Sequence, residues 1–256
     1  MTVFMLHEKI SEFCPRSLSC DWDNDGIIVS GDTEAEVKRV LVALDATMNV
    51  IDYAVKCGAD TIVTHHPMIF RGMKSVSGET LYGAKTVKTI KNGISVLSFH
   101  TRLDAADGGV NDTLCRTLGF EPCGKFGDEE AHDLGRIADI HKNMSAGEFA
   151  SLVREKLGCR AVRVSGDLSR TVKRAAFCGG DGKSLVYPAL YAGCDVFVTG
   201  DAGYNMASDA AEEGLITIEA GHYHTEAPIC RILAELVEKI CGAECEIFDS
   251  CAYEMI

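Results

Sequence analysis

The sequence predicts an α/β protein built from two duplicated three-layer α/β/α halves with mostly parallel sheets. Along the 256 residues, apolar runs of strand length alternate with amphipathic stretches, a pattern typical of parallel α/β folds. The order also repeats. KCGADTIVTHHP at 56–67 matches YAGCDVFVTGDAG at 191–203, and IKNGISVLSFH at 90–100 matches AEEGLITIEAGHYH at 211–224. Four matched features in the same order indicate a duplication rather than two unrelated βαβ units.

Local patterns define the elements in order. The predicted elements are a strand at 27–29, a strand at 40–46, a helix over 49–58 that ends at a left-handed Gly58, a strand from 59 that ends in His65 and His66, a helix at 81–91, a strand at 94–100 and a helix ending near Gly119. The helix over 49–58 is expected to place Val50, Ile51, Ala54 and Val55 on one face. Near the C-terminus, Thr225 is predicted as the N-cap of a helix with Glu226 and Pro228 in its first turn. No Pro-rich or Ser-rich linker separates the halves, and the stretch 124–139, with Asp128, Glu129 and Glu130, is the best candidate for the seam. We predict a first half at 1–125 and a second at 126–256, which could also be intertwined as one unit.

Charge and cysteine content exclude several classes of protein. The net charge of −13 repels a phosphate backbone and disfavours general nucleic-acid binding. The 12 cysteines are scattered without a CxxC pair, so we expect small core residues rather than a zinc ribbon or a disulfide framework. No apolar segment is long enough to span a membrane. We predict a soluble cytoplasmic protein.

Histidines mark the ends of several predicted strands, where open α/β sheets bind their ligands. Five of the eight histidines fall there: His65, His66, His100, His222 and His224. Neighbouring residues on a regular strand point to opposite faces, so His65 and His66 suit two neighbouring ions better than one. The alternative for this pair is two polar residues in a solvent-facing turn.

Two carboxylates accompany these histidines. Asp104 follows His100 and is either a metal ligand or an ordinary loop residue, whereas Glu226 follows His222 and either binds metal or favours a helix N-terminus. The pooled candidate ligands are His65, His66, Asp104, His222 and Glu226. Five ligands exceed the usual three of a single catalytic zinc and suit two ions that share a carboxylate. Because the set lacks cysteine, we expect iron, zinc or manganese.

Long motifs resemble the Ngg-interacting-factor-three-like family, whose bacterial members are often named GTP cyclohydrolase I type 2 homologues. The motifs are WDNDGIIVSGD, VKRVLVALDAT, GADTIVTHHPMIF, HTRLDAADGGVND, LGRI, DVFVTGD and GHYHTE. The resemblance implies a dinuclear metal site in a cleft between duplicated halves, a toroidal homohexamer, and the same five ligands with Glu226 as the bridge. It also implies ring opening of a guanine nucleotide by hydroxide attack at C8. Arg102 and His224 depart from the family pattern, in which asparagine and a small residue are expected.

The first functional hypothesis is therefore a metal-dependent hydrolase that acts on a small-molecule, nucleotide-like substrate. His100 is the candidate for proton transfer, with orientation of Asp104 as its alternative role. His224 is either a proton donor or a solvent-facing side chain. Arg71, Lys74 and Arg102 are candidate phosphate-binding residues, although Arg71 and Lys74 also fit an ordinary solvated surface. A second hypothesis is a non-catalytic, metal-containing ring that binds a protein partner, and a third is phosphoester hydrolysis.

Overall fold

The computed structural model describes residues 1–128 and 133–253 and shows a mixed α/β protein with two sheets. The helices of these residues are α1 (Val3–Phe13), α2 (Met48–Cys57), α3 (Leu81–Lys91), α4 (Thr101–Ala105), α5 (Val110–Thr117), α6 (Ala146–Lys156), α7 (Val186–Tyr191), α8 (Tyr204–Glu212), α9 (His222–Glu226) and α10 (Ile229–Cys241). The strands are β1 (Gly26–Val29), β2 (Arg39–Ala43), β3 (Thr61–Thr64), β4 (Ser95–Ser98), β5 (Gly124–Phe126), β6 (Gly135–Asp139), β7 (Arg163–Ser165), β8 (Arg174–Asp181), β9 (Val196–Asp201), β10 (Ile216–Glu219) and β11 (Glu244–Ile247).

The chain divides into two units, each with its own sheet. The first comprises Met1–Ala106 and Ile229–Ser250, and the second comprises Asp107–Pro228 with the C-terminal residues from Cys251. The sequence pattern predicted a boundary at 125/126, whereas the structure divides the chain at 106/107 and returns α10 and β11 to the first unit. The reason is that β11 pairs in parallel with β2. Of the predicted seam, Glu129 and Glu130 lie outside the described residues.

The sheet of the first unit has the order β1-β4-β3-β2-β11. All its pairings are parallel except β1 with β4. One face packs against α2, where Leu41, Ile62 and Val96 join Val50 and Ile51 in a buried cluster. The intervening residues of these strands are also buried, so β2, β3 and β4 are covered on both faces.

The sheet of the second unit has the order β5-β6-β8-β9-β10-β7 and carries helices on both faces. Val196 and Val198 of β9 join a cluster with α5 and α6, whereas Phe197 joins a cluster with α7 and α8. This alternation follows from the two-residue period of a strand. Only β8, β9 and β10 run in parallel, because β5, β6 and β7 all pair antiparallel with their neighbours. The prediction of mostly parallel sheets therefore holds for the first sheet and is wrong for the second.

Local capping explains the helices that the sequence located well. The Thr47 hydroxyl accepts the Val50 amide at the start of α2, and Gly58 ends this helix at a φ of 74°. The helix predicted at 81–91 is confirmed as α3, with the Thr80 hydroxyl as its N-cap. Of the four residues predicted on one face of α2, Val50, Ile51 and Ala54 are buried, whereas Val55 is 41% exposed and lies outside this face.

Seven of the 12 cysteines are buried, as expected for small core residues: Cys14, Cys20, Cys115, Cys159, Cys178, Cys194 and Cys230. Burial raises the pKa of the Cys14 thiol to about 12. Such a thiol stays protonated near neutral pH, which makes it a poor nucleophile or metal ligand. The buried cysteines therefore contribute to packing.

Candidate metal centre

Three imidazoles lie together in the first unit, at the carboxyl ends of two parallel strands. His65 and His66 follow β3, and His100 follows β4. Their ring centroids are 4.7 to 5.6 Å apart. One ligand nitrogen from each ring lies within 4.8 Å of the others. The group could therefore hold a metal ion.

The sequence predicted that His65 and His66 face opposite sides of a strand. In the structure they do not. β3 ends at Thr64, so both lie in a bend beyond it. The His66 amide donates to the Leu44 carbonyl at 3.0 Å, and the Thr64 hydroxyl donates to the His66 carbonyl at 2.8 Å. These bonds turn the chain, so that the alternation of strand side chains no longer applies and His65 and His66 reach the same group.

Each candidate imidazole directs its Nδ1 atom at an oxygen acceptor. The distances are 3.0 Å from His65 to the Phe99 carbonyl, 2.8 Å from His66 to Asp45, 2.8 Å from His100 to Asp23 and, in the second unit, 3.2 Å from His222 to Asp201. A neutral ring that donates from Nδ1 presents its lone pair at Nε2, the atom that metal binding requires. The donor set and its hydrogen bonds therefore fit a divalent metal ion.

Asp104 adds a carboxylate to the histidine group of the first unit. It lies in α4, where its amide donates to the His100 carbonyl at 3.2 Å. This helical turn brings its Oδ1 atom to 3.6 Å from His65 Nε2. The His65 side chain is fully buried and the Asp104 side chain is 11% exposed, so charge at this position is poorly solvated. Such a pair suits a cation.

Asp23 is a site residue that was not among the predicted candidates, although it lies in the motif WDNDGIIVSGD. Its carboxylate accepts hydrogen bonds from the Thr101 amide at 3.0 Å and the Thr101 hydroxyl at 2.6 Å, in addition to His100. Burial raises the pKa of this carboxyl, but the hydrogen bonds from His100 and Thr101 outweigh burial and bring the pKa to about 2. Asp23 therefore holds the His100 ring in a fixed orientation.

The second unit brings His222 and Glu226 together on α9. His222 Nε2 lies 3.2 Å from Glu226 Oε2, and the glutamate side chain is 5% exposed. The prediction that Thr225 caps a helix is wrong, because α9 already begins at His222 with Gly221 as its N-cap residue. Thr225 is buried, and its hydroxyl donates to the carbonyls of Gly221 and His222.

Two glycines of β8, which the sequence reasoning did not single out, make room for this pair. A Cβ atom on Gly180 would overlap Glu226 Oε1 and come within 3.1 Å of His222 Nε2. A Cβ on Gly179 would lie 3.0 Å from Glu226 Cγ. The run Gly179–Gly180 is therefore a floor beneath both candidate ligands. Two consecutive glycines directly after the apolar run Ala175–Cys178 were the available signal.

Arg102 does not serve the role that the sequence allowed for it. Its side chain is 1% exposed and its Nε atom lies 3.1 Å from Asp25. Nη1 donates to the Ser11 hydroxyl at 3.1 Å, and the guanidinium lies 4.6 Å from the Phe99 ring centroid. The prediction of a phosphate contact is therefore wrong for Arg102. Arg71 and Lys74 are exposed, and their role stays a prediction.

His224 is half-buried and lines a cavity of about 480 Å³ within the second unit. Its ring meets the Tyr223 ring edge to face, with centroids 5.7 Å apart. Asp201 and His222 line the same cavity. His224 is therefore neither a fully solvated side chain nor a member of the pair formed by His222 and Glu226.

The fold and these side chains define a mixed α/β protein with histidine and carboxylate groups suited to metal binding. The family model for Duf34/NIF3 (NGG1p interacting factor 3) matches residues 1–253, and the chain belongs to this family. Among the helices of the described residues, none has the length and apolar content needed to cross a bilayer.

Relatives and solved structures agree with this assignment. The chain is 36% identical over 245 residues to a GTP cyclohydrolase 1 type 2 homolog of Clostridium perfringens, covering 94% of this chain and 93% of the relative. A homolog with the same name from Clostridium acetobutylicum is 35% identical and covers 90% and 87%. The crystal structure of a Staphylococcus aureus hypothetical protein superposes with a TM-score of 0.92 at 27% identity, covering 100% and 99% of the two chains.

Proposed function

We propose that this chain is a metal-dependent hydrolase that acts on a nucleotide-like substrate through water activated at a dinuclear centre. One observation carries the proposal: four imidazoles share an arrangement in which Nδ1 faces an oxygen acceptor, so that each ring would coordinate an ion through Nε2. The name that these relatives carry, GTP cyclohydrolase 1 type 2 homolog, supports a guanine nucleotide as the substrate.

We assign five side chains to two divalent ions of iron, zinc or manganese, with Glu226 as the shared ligand: His65, His66, Asp104, His222 and Glu226. Each unit contributes part of this set, so the proposed centre requires both. The mixture of imidazoles and carboxylates without cysteine supports an ion that keeps an exchangeable water.

A bound divalent ion would lower the pKa of its water, so that hydroxide is available near neutral pH. His100 is the group that we assign to proton transfer, because Asp23 fixes its ring beside the other imidazoles. Its nitrogen also lies close enough to the nitrogens of His65 and His66 to be a ligand itself. In His100→Gln, retained metal with lost turnover would support proton transfer, whereas lost metal would make His100 a ligand.

Shared connectivity supports duplication as the origin of this arrangement. In each unit a helix and an antiparallel edge strand precede three parallel strands joined by helices: α1, β1, β2, α2, β3, α3 and β4 in the first, and α6, β7, β8, α7, β9, α8 and β10 in the second. A toroidal homohexamer is a further part of the proposal, and sedimentation analysis of the purified protein tests it.

Elemental analysis tests the ligand assignment. Replacing His66 and Glu226 together by alanine should reduce the metal content toward background, whereas His141→Ala, an exposed histidine outside the candidate centre, should leave it unchanged. Two ions per chain persisting in the double variant would show that the assignment is wrong.

A nucleotide panel tests the activity. Protein loaded with iron, zinc or manganese is incubated with purine nucleotides while ultraviolet spectra and phosphate release are followed. Loss of the purine chromophore would support ring opening, and phosphate release with an intact chromophore would support phosphoester hydrolysis. Absence of turnover with every metal, or turnover unchanged in His65→Ala, would contradict a hydrolase and favour the non-catalytic ring assembly.

A further inference from the structure

Two large aromatic side chains are exposed beside His100 in the first unit. Trp22 is 54% exposed and Phe70 is 43% exposed. Their ring centroids are 6.0 Å apart, and they lie 6.2 Å and 6.0 Å, respectively, from the His100 ring centroid. All three pairs meet edge to face. The aromatic shelf, defined as Trp22 and Phe70, therefore adjoins the proposed centre.

The loop that carries Trp22 is held from both sides of this residue. Asp23 accepts hydrogen bonds from Thr101 and His100, and Asp25 forms ion pairs with Arg16 and Arg102. These buried carboxylates turn inward, which leaves the indole ring outward. The shelf is therefore displayed on an anchored loop, and little ordering is needed when a ligand binds.

The segment that carries Phe70 is tied to the same loop. The Asn24 side-chain amide donates to the carbonyl of Ile69, the residue before Phe70. This bond fixes the spacing between the two aromatic side chains. The same segment follows His65 and His66 directly along the chain, so Phe70 and these two histidines lie on one continuous stretch of sequence.

We propose that the aromatic shelf binds the planar ring of a purine nucleotide next to His100. The substrate class rests on the proposed function, whereas the shelf rests on the exposure and ring contacts of Trp22 and Phe70. Aromatic side chains bind nucleobases by stacking, and every base offers a π face. A small planar ligand fits the location, because the shelf borders His100, which lies beside the candidate ligands His65 and His66.

The single tryptophan of the chain supplies a direct readout. The purified protein is titrated with guanosine monophosphate and, as a matched probe, with ribose 5-phosphate, which carries the phosphate without the base. We expect saturable quenching of Trp22 fluorescence by the nucleotide and none by the sugar phosphate. Equal quenching by both probes would show that phosphate binding, and not the shelf, is detected.

A substitution series tests the contribution of the second ring. Phe70→Leu should weaken binding of guanosine monophosphate by roughly tenfold, since stacking on one side chain changes affinity by about five- to a hundredfold. Tyr204→Leu, which alters an 84% exposed ring in the second unit, should change affinity less than twofold. Trp22→Leu, followed by calorimetry because its fluorophore is lost, should weaken binding as Phe70→Leu does, and Trp22→Phe should retain most of the affinity.

The possible outcomes distinguish failure of the shelf proposal from failure of the proposed hydrolase activity. Binding that depends on Trp22 and Phe70 without turnover would support the shelf and contradict the activity. Turnover with unchanged affinity in both leucine variants would overturn the shelf and leave the activity in place. A change in sedimentation of these variants with unchanged nucleotide affinity would also overturn the proposal, because the shelf would then be a contact between copies of the chain.

Discussion

The two units use the same hydrogen bonds to hold their parallel strands but place different chemistry at the strand ends. Asp60 accepts the two amides at the start of β2 at 2.9 and 3.1 Å, and Asp195 accepts the two amides at the start of β8 at the same distances. Each carboxylate thereby joins its strand to the one before it. The framework is the part that the units share.

The residues at the carboxyl ends of β3 and β9 differ for a steric reason. His65 and His66 lie after β3 in the first unit. Gly200 and Asp201 are at the same distances along the chain from Asp195 as these histidines are from Asp60. A Cβ atom on Gly200 would lie 2.7 Å from the Cα atom of His222. The first unit therefore has imidazoles directly after the strand. The second unit has a glycine at this position, and the absence of a side chain allows His222 to pack close to it.

Substitution of the buried arginines tests how strongly the stability of each unit depends on its interior ion pair. Arg102 pairs with Asp25 in the first unit, and Arg136 pairs with Asp112 in the second, each arginine side chain being 1% exposed. Replacing either arginine by methionine leaves a buried carboxylate with only its more exposed partner, Arg16 or Arg116, and should lower the free energy of unfolding by up to about 3–5 kcal/mol. Urea denaturation followed by circular dichroism measures the loss.

Arg136→Met should be the more damaging of these two variants. Arg136 also donates to the carbonyls of Asp133 and Leu134, which would lose their donor. Arg231→Met, in an ion pair whose arginine side chain is 80% exposed, is the control and should cost less than about 1 kcal/mol. Equal losses in the surface and buried variants would contradict the expected importance of the interior pairs.

The glycine floor of the second unit is tested by a pair of alanine substitutions with matched backbone strain. Gly180 and Gly158 have φ angles of 63° and 66°, but only Gly180 faces Glu226 and His222, while a Cβ on Gly158 meets nothing within 4 Å. Gly158→Ala should cost about 1–2 kcal/mol. Gly180→Ala should cost about 2–4 kcal/mol because overpacking is added to the strain.

Metal content distinguishes the two glycine variants further. Gly180→Ala should lose bound metal, because the new methyl group displaces both candidate ligands of the second unit. Gly158→Ala should retain the metal content of the unsubstituted chain. If both variants retained metal equally, His222 and Glu226 would not need the space above Gly180.

Substitution of Asp60 and Asp195 tests whether the hydrogen bonds that the two units share stabilise both units equally. Asp60→Ala and Asp195→Ala each remove the acceptor of two backbone amides, and each should lower the free energy of unfolding by about 1–3 kcal/mol. Asp21→Ala, at an exposed position, is the control. A large loss in only one unit, measured by urea denaturation, would show that the two frameworks are alike in geometry but not in stability.

Elements fixed by local interactions could be predicted from the sequence. Apolar runs indicate where β3 and β4 lie, and this local pattern is enough to place His65, His66 and His100 at strand ends. The helix at 81–91 was predictable because the residues that begin and end it, Thr80 at one end and Asn92 and Gly93 at the other, directly flank it in the sequence. Strand length and capping are short-range properties, so one segment at a time is sufficient.

Features that depend on distant segments were not predictable in this way. Asp23 orients His100 across 77 positions of sequence separation, and nothing in its own loop indicates the partner. Gly180 is required because α9 packs over it, and the return of β11 to the first unit depends on pairing with β2. Local pattern therefore located the candidate ligands, whereas tertiary packing determines what supports them.

The carboxylates that orient the imidazoles give the sharpest expected contrast between the units. The Asp23 side chain is fully buried, whereas the Asp201 side chain is 53% exposed. Asp23→Asn should lower the free energy of unfolding by about 2 kcal/mol at neutral pH. Asp201→Asn should lower it by less than about 1 kcal/mol, because an exposed pair contributes little.

The pH dependence of Asp23→Asn follows from the pKa of about 2 in the folded chain, against 3.8 for an unperturbed carboxyl. A depressed pKa stabilises the fold above the unfolded value, and this stabilisation is lost as the pH falls toward the folded value. The difference between Asp23→Asn and the unsubstituted chain should therefore be constant above about pH 5 and shrink between about pH 4 and pH 2. Urea midpoints across this range measure it. A difference that stayed constant with pH would mean that the Asp23 carboxylate does not stabilise the fold through its charge, and that packing alone separates it from Asp201.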